Sequence, residues 1–171
     1  MSEILVRHAT PLDIQGILTL YNQGIEDRIA TLEVEPKDIS YMEGWFNSRS
    51  ARYSVLVAVE GAAVVGWASL NKYSLRSAYD GVADLSIYIE REHRGIGIGS
   101  MLLTKLEEVT LCSGFYKILL FTFPFNGLGQ GLYRKLGYRE VGIFYKQGII
   151  DGNFVDVMAM EKILRLEDVT K

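Results

Sequence analysis

The sequence predicts an α/β protein of the α+β type: a mixed, mostly antiparallel, twisted sheet of about seven strands, flanked by helices on both faces. Three observations predict it. Runs rich in β-branched and aromatic residues alternate with segments of helical period, in the order β α α β β β α β α β β. Two pairs of neighbouring runs are joined by tight-turn sequences, which makes those pairs antiparallel. One run leads through a cluster of glycines straight into a helix. No stretch rich in Pro, Gly or Ser divides the 171 residues, so one domain over 1–171 is expected, its fold ending at 164 and a tail covering 165–171.

The first strand is short, about Ile4 to His8. Thr10-Pro11-Leu12-Asp13 reads as a helix start, with threonine as cap, proline in the first turn and an aspartate three residues on. Ile14, Ile17, Leu18 and Tyr21 give that helix an apolar face to about Gly24. From Ile25 to Pro36 there is no clear period, and Glu35-Pro36 marks a boundary because the residue before proline is pushed from the helical region. A second helix is expected near Asp38 to Phe46. Tyr53 to Val59 and Val64 to Tyr73 form a hairpin about Glu60-Gly61-Ala62-Ala63.

Val82 to Ile89 alternates, with Ala83, Leu85, Ile87 and Ile89 on one face and Asp84, Ser86 and Tyr88 on the other. Beyond the glycines, Leu102, Leu103, Leu106 and Val109 recur at helical spacing to about Ser113. Lys117 to Phe123 reads as a buried strand, and Asn126 to Leu136 as a helix with Leu128, Leu132 and Leu136 in register, closed by Gly137. Val141 to Tyr145 and Phe154 to Lys162 flank the turn Asp151-Gly152-Asn153, a second hairpin.

Composition narrows the function. A formal charge of −3 argues against nucleic acid as a partner, since duplex binders carry a basic stripe. No apolar run is long enough to span a bilayer and the first residues do not read as a leader, so no membrane partner and a cytoplasmic location are expected. Two histidines and one cysteine cannot build a standard zinc site, and no metal is expected. Cys112, late in an amphipathic helix, is expected as a small buried hydrophobe.

The cluster Arg94-Gly95-Ile96-Gly97-Ile98-Gly99, with Ser100 after it, carries the chemistry. Between a strand and a helix, its backbone N–H groups and the positive end of the helix dipole converge where an anion can sit. Glycines let the backbone approach a phosphate that a Cβ would hold off. Arg91, His93 and Arg94 add local positive charge. A dinucleotide fingerprint fails because the third glycine comes one residue early, and a P-loop fails because no lysine separates Gly99 from Ser100.

Arg94, Gly97 and Gly99 resemble the signature Arg/Gln-x-x-Gly-x-Gly/Ala of the GNAT superfamily of N-acetyltransferases. Asn126-x-x-Gly129-x-x-Leu132-Tyr133-x-Lys135-x-Gly137-Tyr138 is similar to the superfamily segment that holds the lower arm of CoA and supplies a tyrosine. Other segments resemble the subfamily of phosphinothricin, arsinothricin and methionine sulfone or sulfoximine N-acetyltransferases. They are Tyr21-Asn22 with Ile25, Thr31-Leu32-Glu33 with Glu35-Pro36, Arg76-x-Ala78-Tyr79, Ser86 to Ile89, and Asp151-Gly152 through Asp156-Val157 to Met160-Glu161-Lys162.

The resemblance implies the GNAT fold, acetyl-CoA as co-substrate and an amino-acid-like amine as acceptor. It also implies a homodimer. Asp84 matches the position of the subfamily's general base, usually a glutamate one methylene longer; an aspartate within a β-prone run is unexpected from propensity, and the plain alternative is a solvated strand carboxylate. Tyr133 matches the tyrosine that protonates the leaving thiolate, the alternative being a tyrosine at the core edge. Backbone N–H groups near Ile87, Tyr88 and Ile89 are assigned to the thioester carbonyl, and Asn126 to the cofactor amide, although capping its own helix explains Asn126 equally well. Gly129 departs from the usual serine. Arg76, Ser77, Ala78 and Tyr79 match the acceptor pocket, with Glu33 closing it or ordering the first loop. Two other readings stay open: a protein N-terminal acetyltransferase, and a CoA-binding sensor without catalysis.

Overall fold

A computed structural model describes residues 2–164; the expected tail at 165–171 lies outside the described residues. Its elements are β1 (Ile4–His8), α1 (Ile14–Asp27), α2 (Ile39–Asn47), β2 (Val55–Glu60), β3 (Ala63–Lys72), β4 (Val82–Ile89), α3 (Ile98–Cys112), β5 (Lys117–Thr122), α4 (Gly127–Lys135), β6 (Arg139–Ile150) and β7 (Asn153–Ile163). The seven strands form one sheet in the order β1-β2-β3-β4-β5-β7-β6. Every pairing is antiparallel except β4 with β5.

Alternation along the strands sorts the core into two layers. Leu56, Ala58, Ala68, Leu70, Ala83 and Leu85 pack with Leu102, Leu103 and Leu106 of α3 and with Tyr133 of α4. Val55, Val57, Val59 and Trp67 point the other way, against Ile14, Ile17 and Leu18 of α1 and Met42 of α2. Helices therefore cover both faces, as the sequence predicts.

Several boundaries differ from expectation, each for a tertiary reason. A 3-10 turn at Pro11–Asp13 precedes α1, with the Asp13 carboxylate bound by Arg7 and by the Thr10 N–H. Helix α1 runs a turn past Gly24, because Gly24 and Ile25 are buried against the sheet and Asp27 finds two arginines. Strand β6 starts earlier and ends later than Val141 to Tyr145, because pairing with β7 continues across two bulges. On α4 the leucine stripe faces the core only in part: Leu132 and Leu136 pack against it, Leu128 is 62% exposed, and Gln130 and Tyr133 are buried. Gln130 compensates by donating to the Phe123 and Pro124 carbonyls. Cys112 is exposed, because the buried face of α3 ends at Thr110.

The feature that matters most for function is the central parallel pair. Strand β4 bonds β5 only at Val82–Lys117, Ala83–Ile118 and Asp84–Leu119. Beyond these the strands part, β5 following β7 while β4 stays on β3.

Candidate active site

The glycine loop begins where β4 ends. Gly95 and Gly97 have φ of 78° and 98°, values that a Cβ disfavours, and a Cβ on either would point into open space rather than into protein. The first intrahelical bond of α3 runs from the Met101 N–H to the Gly97 carbonyl. The N–H groups of Ile98, Gly99 and Ser100 thus precede the hydrogen-bond ladder and stay available to an anion. The Ile98 side chain is buried in the core and Ile96 is exposed, so both enter the loop through their backbone.

The arginines of this loop are not free charges. Arg91 and Arg94 both pair with Asp27 at the end of α1, at 2.6 and 2.7 Å, and Arg94 Nε donates to the Ile89 carbonyl. Those two guanidinium groups hold Asp27 below the usual carboxylate range. His93 bridges Glu90 and Glu60 at 2.7 and 3.1 Å, which raises its pKa. The local excess of positive charge expected from the sequence is therefore largely neutralised, and the loop relies on its main-chain amides. Asp27 is a site residue that sequence reasoning misses, since it is 64 residues away from Arg91.

Two cavities meet at this end of the sheet. The larger, about 380 Å³, runs from His93, Arg94, Gly95, Gly97, Gly99 and Ser100 along α4 past Asn126. The smaller, about 200 Å³, is lined by Ala30, Thr31, Leu32, Asp84, Ser86, Phe121, Phe123 and Val157. Ala30, Ile87, Tyr88, Asn126 and Tyr133 line both. The seam between the cavities lies in the gap between β4 and β5. The Glu90 N–H bonds Val65 of β3, so alternation turns the N–H groups of Ile89 and Ile87 away from β3, toward that gap.

Asp84 borders the smaller cavity, and burial pushes its pKa up to about 7 despite hydrogen bonds from the Leu85 backbone and Asn71. A carboxylate tuned so close to neutrality is suited to accept a proton at working pH. Tyr133 is buried, and its hydroxyl has no hydrogen-bond partner among the described residues; burial raises its pKa, so it stays protonated. Tyr88 stacks on Trp67 at 4.9 Å and meets Tyr21 edge-on at 5.2 Å, which fixes its ring at the seam. Trp67 and Trp45 belong to the aromatic core, whereas Phe125 is exposed.

Asn126 caps α4, accepting from the Gly129 N–H at 3.1 Å, and donates to Thr122. A Cβ at position 129 would sit 2.6 Å from the Asn126 amide nitrogen, so glycine is the residue compatible with this cap. The roof over both cavities is the segment after α1. Arg28, in the left-handed region at the α1 C-cap, donates to the carbonyls of Ile25 and Val34 and pairs with Asp151. That arch carries Ala30 and Thr31 over the seam. Thr31, which lines the smaller cavity together with Tyr88, is a second residue that sequence reasoning does not single out as functional.

The acceptor residues named from the sequence stand apart. Arg76 caps an exposed 3-10 turn at Ser77–Tyr79, outside the lining of either cavity; Tyr79 meets Tyr73 edge-on at 5.3 Å. Glu33 pairs with Lys37 at 2.7 Å rather than turning into the chamber. The structure thus brings Asp84, Ile87, Tyr88, Tyr133 and Asn126 together with the glycine loop, but not the segment 76–79.

A sheet split beside a glycine loop whose main-chain amides stay available, with the Asp84 carboxylate and the buried Tyr133 phenol at the split, has the parts that acyl transfer can use. Residues 18–138 match the model of the acetyltransferase (GNAT) family, and the chain belongs to that family. It is an acetyl-CoA-dependent N-acetyltransferase. An L-methionine sulfoximine/L-methionine sulfone acetyltransferase of Pseudomonas aeruginosa is 29% identical over 158 residues, 91% of this chain and 92% of the relative. Among solved structures, a phosphinothricin acetyltransferase of Sinorhizobium meliloti in complex with AcCoA is 27% identical, with a TM-score of 0.88 over 95% of this chain and 89% of that one. A ribosomal-protein-alanine N-acetyltransferase of Brucella melitensis is 29% identical, with a TM-score of 0.89 over 93% and 99%.

Proposed function

We propose that the enzyme acetylates the α-amino group of a free amino acid or a compact amino acid analogue, of the phosphinothricin or methionine sulfone and sulfoximine type, by direct attack in a ternary complex. The observation that carries this reading is Asp84, with its pKa near 7, at the wall of a chamber of about 200 Å³ that opens onto the glycine groove at Tyr133. A chamber of that size suits a small molecule better than a polypeptide end. The names of the relatives that act on such compounds support the same acceptor class.

Acetyl-CoA supplies the activated acyl group. Main-chain amides of residues 95–100 hold its diphosphate, and Asn126 orients its amide-bearing arm. The amine arrives protonated, and Asp84, directly or through one water, takes the proton that must leave nitrogen before or as the C–N bond forms. N–H groups of Ile87 and Ile89 receive the charge developing on the carbonyl oxygen. As the C–S bond breaks, Tyr133 gives its proton to sulfur, whose thiol pKa of roughly 8.5 makes protonation favourable near neutrality.

Arg76, with Ser77, Ala78 and Tyr79, draws the acceptor's carboxylate or phosphinate toward the chamber. In support, the Arg76 side chain is exposed and has no ion-pair partner among the described residues; Glu33, tied to Lys37, orders the roof. Likeness to the Brucella enzyme favours a second reading, acetylation of a protein N-terminus. A panel of phosphinothricin, methionine sulfone, methionine sulfoximine, common amino acids and an alanine-initiated peptide, read by CoA release with a thiol reagent, separates the two. Free amino acid analogues are expected to be turned over at least tenfold faster than the peptide. In an Arg76→Ala variant, the KM of the best acceptor should rise about tenfold while acetyl-CoA affinity is unchanged, as for loss of one charge-assisted hydrogen bond. Peptide preference removes the amino acid reading, and no CoA release above hydrolysis favours a sensor.

Two copies associate through the β6 and β7 edge of the sheet. Phe144, Tyr145, Ile149 and Phe154 there are 48%, 78%, 60% and 62% exposed, a patch of the kind that marks an interface. Light scattering on the purified chain should return twice the chain mass, and Phe154→Glu should return the single mass.

A further inference from the structure

Arg49 follows α2 and reaches under β3, where its guanidinium is mostly buried. Among the described residues no carboxylate pairs with it. Burial alone lowers its pKa to about 10, so the cation is kept in place at a desolvation cost with no counter-ion. A residue used only for packing would not need that charge.

What Arg49 touches gives the charge a purpose. Its Nε donates to the Tyr53 carbonyl at 3.1 Å, the Trp45 ring lies 4.4 Å from Cζ, and Nη2 donates to the Leu70 carbonyl and to Asn71 Oδ1. Ser69 Oγ donates to the same Asn71 oxygen at 3.1 Å. With two donors on Oδ1, the Asn71 Nδ2 is turned the other way, where it donates to Ser86 Oγ at 3.0 Å. Asn71 is also the cross-strand partner of Asp84 and a hydrogen-bonding neighbour of its carboxylate. Were the amide reversed, its oxygen would face another acceptor.

We propose that Arg49 is a positioning residue for acetyl transfer: by engaging Asn71 Oδ1 it commits the Asn71 N–H₂ to Asp84 and Ser86, and so sets the orientation and charge state of the base. The inference rests on the reading of Asp84 as the base. The titratable group that the Asp84 charge reaches is Tyr88, four residues on along the same strand, whose hydroxyl Tyr133 on α4 and Glu33 in the roof also influence.

The test is a pH titration of the aspartate carboxyl carbons by 13C NMR in the free full-length protein, with Asp84→Asn used to assign the Asp84 signal. In Arg49→Met the Asp84 midpoint is expected to move up by about one unit, since one hydrogen bond to the carboxylate is worth roughly that much. Asn71→Ser should move it by a similar amount, and the double variant no further, because both act through one amide. Arg49→Lys, which keeps the charge but not the planar fork, should shift it by less than Arg49→Met. An unmoved midpoint in Arg49→Met, or additive shifts in the double variant, overturns the proposal. If Arg49→Met does not fold, the Asn71→Ser and Arg49→Lys titrations decide: an unmoved Asn71→Ser midpoint is equally fatal. Full turnover by Asp84→Asn in the acceptor assay would instead remove the base itself, an outcome distinct from an inactive Asp84→Asn with no shift in the Arg49 variants.

Discussion

An Asp84→Asn variant is expected to lose about 10²- to 10⁴-fold in kcat/KM for the acceptor, the usual contribution of a positioned base, and yet to be more stable than the parent above neutral pH. The stability gain follows from the same burial that tunes the base. Asp84 is raised from 3.8 to about 7 in the fold. Between those values the native protein binds a proton that the unfolded chain releases, so the parent loses stability as pH rises through this window. Above it the full penalty is present, on the order of 2–4 kcal/mol, and asparagine does not incur it. Thermal unfolding should show the variant melting about 5–10 °C higher at pH 8, and level with the parent near pH 4. In the parent, kcat/KM should climb with pH through an apparent pKa near 7. Equal melting temperatures at pH 8 together with undiminished turnover would make Asp84 an ordinary strand carboxylate.

Gly97→Ala is expected to raise the Kd for acetyl-CoA about tenfold to a hundredfold, the loss of one or two charge-assisted hydrogen bonds from main-chain amides to phosphate. Gly97 is the N-cap of α3, with φ of 98°, and its missing Cβ would project into open space at the glycine loop. A methyl group there both strains the loop, by about 1–2 kcal/mol, and holds the ligand off the helix terminus. Gly114 separates the two effects. Its φ is 85° and a Cβ there also meets nothing, but it lies beyond the far end of α3. Gly114→Ala should reproduce the loss of stability and leave acetyl-CoA affinity, measured by calorimetry, where it was. Equal weakening in both variants would assign the effect to strain.

What could be read from the chain was what local spacing encodes. Strand β4, the glycine loop and the start of α3 form one uninterrupted stretch, so periodicity and glycine placement located them together. The second hairpin turn was legible for the same reason. Which face of α4 turns inward was not, because that depends on a sheet formed by residues elsewhere: Gln130 is buried only because the Phe123 and Pro124 carbonyls need a donor. Asp84 is legible through its place in a motif, whereas the side chains that surround it are not. Arg49 and Asn71 are 22 residues apart and share no pattern, and their meeting exists only once β2 has paired with β3. Asp27 escaped in the same way. Residues 76–79 show the converse: they match a motif, yet they form an exposed turn outside the lining of either cavity.

Past Asp84 and Leu119 the middle of the sheet is unstitched, and main-chain N–H groups such as those of Ile87 and Ile89 have no partner on the facing strand. A slender molecule bearing amides of its own, laid along that slit, could trade hydrogen bonds with the exposed edges as a neighbouring strand would. Occupancy would then mend the gap that the parting of β4 and β5 leaves in the fabric of the protein.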